Sequence, residues 1–173
     1  MPAIIFDFIS PVHPKWNALL DEQHYIKLED TLNELSSLLK ESHLLDVDKA
    51  SENLPFYCSF KFSDDDEVRI MNRDFRGKDK PTNVLSFPQG EKDENDEGEE
   101  IFYLGDIILA YETILRESTQ QSKDFHDHLL HLCLHGVLHL LGHDHIEDKE
   151  AQAMERLEIE MLNKCGIQNP YDV

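Results

Sequence analysis

Between residues 129 and 141 the chain reads LLHLCLHGVLHLL, and no other stretch restricts the fold as strongly. On a helix, its leucines, Cys133 and Val137 make every direction apolar except one. At about 100° per residue, His128, His131, His135 and His139 share that remaining stripe. A helix that is apolar almost all round belongs inside a core, so the rest of the chain must wrap around it. A buried stripe of imidazoles must in turn be met by a metal, a ligand or partner side chains, because unpaired polar groups are costly to bury.

The stretch continues as HGVLHLLGHDH, residues 135–145. His135 and His139 are four apart and project from one helix face, one turn above the other. Gly142 is a natural helix stop, and His145 follows three residues later, where the chain can swing back. This pattern makes His135, His139 and His145 candidate ligands of one divalent metal. Three neutral imidazoles on Zn²⁺ leave a position open for water or substrate, the arrangement of a catalytic site. Ni²⁺, Cu²⁺ and Fe²⁺ are chemically admissible in the same shell. His128 and His131 lie on turns away from His145 and fit supporting or substrate-contacting roles. Asp144 is placed to orient an imidazole N–H. The spacing also matches the metzincin pattern H-E-x-x-H-x-x-G-x-x-H, with one departure. Residue 136 is glycine where those proteases carry the glutamate base. A metal cage without that base points to another chemistry or another substrate.

The formal charge of −20 over 173 residues excludes a broadly basic, nucleic-acid-coating surface. It does not exclude a local patch. Residues 69–80 place Arg69, Arg73, Arg76, Lys78 and Lys80 against Asp74 and Asp79. Arg76 offers a planar fork suited to two phosphate oxygens. Arg73, Lys78 and Lys80 are candidates for drawing in a polyanionic backbone. Helix ends also favour cations for purely electrostatic reasons. At the other extreme, EKDENDEGEE at 91–100 reads as a solvated acidic loop, about 90–100.

Three scattered cysteines, Cys58, Cys133 and Cys165, form no C-x-x-C pair, which suits a reducing, cytoplasmic compartment. No run approaches the ~20 apolar residues of a membrane span. The N-terminal MPAIIFDFIS lacks a basic n-region and reads as a first strand. The patterns predict strands over 4–9, 54–62, 83–87 and 101–109. They predict helices over 17–45, with a break near Tyr25, and over 64–75, 111–121, 123–141 and 148–165. Ser63 and the following aspartates mark the second helix start, and Ser122 is the expected cap of the histidine helix. Gly105 inside the last strand signals a bulge or a close backbone approach. Strands and helices are mixed without strict alternation. The expectation is therefore a single α+β domain, 1–173, with a small mixed sheet of about four strands packed against helices.

Three blocks together resemble the YbeY-type endoribonuclease family. HGVLHLLGHDH is similar to that family's H-G-x-L-H-L-x-G-[YH]-D-H. NRDFRGKDKPTNVLSFP, residues 72–88, resembles its R-x-K-x-x-T-[DN]-V-L-S-F-P, and Leu104-Gly105-Asp106-Ile107 resembles its L-G-D-[IL] segment. The blocks come in the family's order and nearly span the chain. The resemblance implies a zincin-like topology around a central metal-binding helix. It implies one metal, zinc in the first instance, on His135, His139 and His145. It implies catalytic roles for His135 and Arg76, in a single-strand-specific endoribonuclease that acts in ribosomal RNA maturation and ribosome quality control. The implied partners are single-stranded RNA, ribosomal RNA and ribosomal particles, with no membrane and no DNA. Two other readings compete: a zincin-like metallopeptidase, and a non-catalytic ribosome-assembly factor stabilised by its metal. The attacking group stays open between water and the RNA 2′-OH.

Overall fold

The computed structural model describes residues 4–9, 12–42, 44, 54–143 and 147–172. Four strands form one sheet in the order β1-β2-β4-β3: β1 Ile4–Phe8, β2 Phe56–Ser63, β4 Glu100–Ala110 and β3 Val84–Glu94. β1 and β4 both run parallel to β2, and β3 closes one edge antiparallel to β4. This is the small mixed sheet expected of an α+β, zincin-like topology. Helices α1 Glu22–Glu41, α2 Asp65–Arg76, α3 Tyr111–Gln120, α4 Phe125–Leu140 and α5 Asp148–Lys164 surround it. One sheet face, with Cys58, Phe60, Phe62, Leu104, Ile107 and Leu109, packs on α1 and α4. The other carries Leu85, Ile108 and Ala110 against Val68 of α2. Helix α4 is buried along most of its length, as its all-round apolar pattern requires.

The first helix breaks at Asp21, earlier than expected. A short 3-10 turn, Pro14–Ala18, precedes the break. The Asp21 carboxylate then accepts from the His24 N–H at 2.9 Å, and His24 Nδ1 accepts from the Asp21 N–H at 3.3 Å. This is a capping box in which histidine replaces the usual glutamate. Asp64, the first of the aspartates expected to mark this start, caps α2 through the Glu67 N–H. Asp124, not Ser122, caps α4 by accepting from the N–H groups of His126 and Asp127. Ser122 instead adopts φ 52° in the preceding turn. In both places a carboxylate takes the cap, since its charge also complements the helix N-terminus.

The acidic segment expected as a loop over about 90–100 is mostly hairpin. Residues 91–94 continue β3 and Glu100 begins β4, paired as Glu91↔Tyr103, Lys92↔Phe102, Asp93↔Ile101 and Glu94↔Glu100. The turn is tight because Asn95 Oδ1 accepts from the N–H groups of Glu97 and Glu99. Charge did not prevent pairing here because the acidic side chains of β3 stand in solvent while main-chain groups make the ladder.

Gly105 fulfils the expected close approach. It has φ +140°, and a Cβ there would lie 2.2 Å from the Phe87 carbonyl oxygen and 3.0 Å from Leu140 Cδ2. The register slips on both sides of β4 at this point, between Tyr57 and Cys58 and between Pro88 and Glu91. Gly105→Ala is expected to destabilise the protein by about 3 kcal/mol, because a methyl group would meet backbone at a left-handed φ. A urea melt with an unchanged midpoint would contradict this.

Candidate metal centre

Helix α4 carries His135 and His139 on the stripe predicted for them. Their Nε2 atoms face each other at 3.0 Å. His135 Nδ1 lies 2.5 Å from Glu158 Oε1 of α5. Glu158 is a carboxylate, so the shared proton belongs to Nδ1, and Nε2 is left as the electron-pair donor of the ring. Tetrahedral zinc with bonds of about 2.0–2.1 Å would hold two such nitrogens roughly 3.3 Å apart. The pair therefore fits one cation with a shift of a few tenths of an ångström. His145 and Asp144 lie outside the described residues.

Glu158 organises this region, and nothing in the sequence reading singled it out. It is fully buried. Oε1 meets His135, while Oε2 accepts from His131 Nε2 at 3.2 Å and from the Tyr171 hydroxyl. Burial alone pushes its pKa up, but the hydrogen bonds from His131 and His135 outweigh burial and bring it down to about 2. A signal was present: on α5, Glu158 sits among the buried Met154, Met161 and Leu162, in the middle of the apolar stripe. A lone acid there needs buried partners. Ligand atoms of His131, His135 and Glu158 all lie within 4.8 Å of one another, a grouping that could hold a cation. The 2.5 Å contact is a proton-sharing distance, shorter than two ligands on one ion would adopt, and marks Glu158 as the partner that orients His135.

His128 turns to a different acid. Its Nε2 is 2.9 Å from Glu117 Oε2 of α3, and Asn83 Nδ2 donates to the same carboxylate at 3.1 Å. Burial raises the Glu117 pKa, but these two donors hold it below the ordinary glutamate range. The imidazole stripe is thus met from two sides, by α3 at one end and α5 in the middle.

Gly136, at the position of the metzincin glutamate, faces the sheet. A Cβ there would lie 2.9 Å from Ile107 Cγ2, and the Gly136 carbonyl accepts from the Ser86 hydroxyl at 3.3 Å. A glutamate has no room in this packing, which removes the structural basis of the metallopeptidase reading.

Strand β3 links the histidines to the basic segment. Ala110 N–H donates to the Asn83 carbonyl, so the alternation of the antiparallel ladder turns the Ser86 carbonyl outward, to the open sheet edge. Arg76 Nη2 donates to that carbonyl at 3.2 Å. Arg76 is the last residue of α2, where Gly77 at φ 69° ends the helix. Asn72, buried, holds the following loop by donating to the Lys80 carbonyl at 2.7 Å. Two arginines of the expected basic cluster carry exposed ion pairs. Arg69 forms a two-pronged pair with Asp79, and Arg73 pairs with its neighbour Asp74. Lys78 and Lys80 are exposed, and no ion pair engages them among the described residues. A separate cavity of about 590 Å³ lies near the start of α4, lined by Leu20, Leu28, His126 and Ile167, and holds none of the candidate site residues.

Residues 19–166 match the family model described as Endoribonuclease YbeY. The chain belongs to this family. The curated Endoribonuclease YbeY of Francisella tularensis subsp. novicida is 40% identical over 161 residues, covering 90% of this chain and 91% of its own. That of Sphingopyxis alaskensis is 50% identical over 117 residues, covering 64% of this chain and 68% of its own. The solution structure of TM1509 from Thermotoga maritima covers 92% of this chain and 88% of its own, with a TM-score of 0.55 and 22% identity, and supports the fold alone. Among the described residues, no helix is long and apolar enough to cross a membrane.

Proposed function

We propose that this YbeY family member is a metal-dependent endoribonuclease that cuts single-stranded RNA. It acts in the cytoplasm, on ribosomal particles, in ribosomal RNA maturation near the small-subunit 3′ end and in ribosome quality control. His135, His139 and His145 hold the metal, for which zinc is the best match to three imidazoles. The observation that carries the reading is the pair of Nε2 atoms at 3.0 Å, one of them fixed by a buried carboxylate, on a helix bonded to the strand that anchors Arg76. When bound, the cation supplies Lewis-acid polarisation and a lowered pKa for bound water.

The chain's own groups do the rest. Glu158 holds the Nδ1 proton of His135 and so keeps Nε2 as a donor of its electron pair. Arg76 presents two N–H groups to the non-bridging phosphate oxygens, where negative charge builds as the phosphorus becomes crowded. Lys78 and Lys80 draw the RNA backbone into an otherwise repelling protein.

The test is cleavage of single-stranded RNA, naked and within ribosomal particles, by the zinc-loaded protein and by Arg76→Ala. Loss of a charge-stabilising donor at a developing oxyanion typically costs about 10²–10³ in kcat, and a drop of that size is expected. An Arg76→Ala protein cutting at the wild-type rate would remove the arginine from the mechanism. A metal-loaded wild type that cuts neither form of RNA would remove the function.

A further inference from the structure

Among the described residues, a few large apolar side chains are exposed, and Phe75 is the most exposed of them. It is 70% exposed, although it belongs to a helix that buries Val68 on the sheet. Its ring is nevertheless fixed. It meets Phe87 of β3 edge-to-face, with centroids 5.4 Å apart and planes at 70°. The next residue is Arg76, whose guanidinium is anchored on the carbonyl of Ser86, the residue before Phe87. The exposed side chains of Lys78 and Lys80 follow within the same short loop.

We propose that Phe75 is a base-stacking platform, which holds one nucleobase of a single-stranded RNA while Arg76 holds the neighbouring phosphate. This deepens the endoribonuclease reading and rests on it. The chemistry is that of single-strand recognition: a cationic track for the backbone beside an aromatic face for a base. With Phe75 70% exposed, its contact with Phe87 leaves ring surface for a planar partner, and that contact restrains the ring before a base arrives. A protein partner would bury the same ring, but Arg76 follows it directly and the exposed Lys78 and Lys80 follow in the same loop, a run of cations that complements a phosphate chain. The platform also supplies a physical basis for single-strand preference. Bases already stacked in a duplex cannot spread onto Phe75, whereas an unpaired base can.

Base–aromatic stacking is strong enough that its loss should raise KM for single-stranded RNA about tenfold in Phe75→Ala, with kcat changing far less. Phe75→Trp should restore KM, and Phe75→Leu, apolar but without a π face, should not. The second measurement needs no cleavage: a short single-stranded oligoribonucleotide carrying 2-aminopurine should be quenched on binding wild type and Phe75→Trp, and not on binding Phe75→Ala. Equal KM and equal quenching for wild type and Phe75→Ala overturn the platform. So does full rescue by Phe75→Leu, which would mark a packing role. If wild type cleaves nothing, the enzymatic reading falls, while the quenching comparison still decides whether Phe75 stacks on RNA. Loss of ribosomal-particle binding in Phe75→Ala with unaltered quenching assigns the ring to a protein contact and overturns the proposal.

Discussion

His139→Ala is expected to empty the metal centre and to lower RNA cleavage by more than about 10³-fold, with little change in the stability of the metal-free protein. The reason is where each histidine makes its contacts. His139 presents Nε2 to His135 at the end of α4, is only half-buried, and takes no part in the Glu158 cluster. On the proposed ligand set, losing it removes a donor to the cation, while the hydrophobic side chains that bury α4 stay in place. The chemistry then loses both Lewis-acid polarisation and activated water, each of which supplies several kcal/mol of barrier lowering. His135→Ala is expected to lose activity equally but to melt lower, because Glu158 loses one of its three donors in a buried site. Elemental analysis, RNA cleavage and thermal melts on the two variants give the comparison. A His139→Ala protein that keeps a full equivalent of metal would remove His139 from the ligand set.

Glu158→Ala is expected to cost about 3–5 kcal/mol of stability, comparable to breaking other buried charged clusters. It strips the shared acceptor from His131, His135 and Tyr171 at once, and no water-exposed side of the residue exists to compensate. For a chain of this length that corresponds to a fall in melting temperature of about 10 °C. Glu158→Gln keeps the shape and separates packing from charge. It should fold, yet bind zinc about 10–100-fold more weakly, since an amide holds the His135 Nδ1–H less firmly than a carboxylate does. Calorimetric zinc titration checks the second effect. Wild-type affinity in Glu158→Gln would confine this acid to a structural role.

The parts of the fold that follow local rules were legible. The period of the histidine helix, the glycine stop after Arg76 and the tight approach at Gly105 each depend on neighbouring residues, and each is where the sequence puts it. The two parts that escaped depend on partners distant in sequence. Glu117 and Glu158 come from α3 and α5, and only the packed tertiary structure brings them to His128 and His135. The need of Glu158 for partners was visible, as an acid within an apolar stripe, but their identity was not, and Glu117, partly exposed on α3, gave no such signal. The acidic hairpin escaped for a different reason. Composition reports on side chains, whereas strand pairing along residues 91–94 is made by main-chain groups that any residue there carries. Within the basic cluster, the exposed pairs Arg69–Asp79 and Arg73–Asp74 are likewise a matter of side-chain reach that a charge sum ignores.

At Gly105 and Gly136 the neighbouring elements touch with almost nothing between them: β4 lies against the Phe87 carbonyl of β3, and α4 lies against Ile107 of β4. How closely α4 sits on β4, and β4 on β3, is therefore set at these two points by main chain and one isoleucine. Repacking of bulky groups elsewhere has little purchase on either spacing.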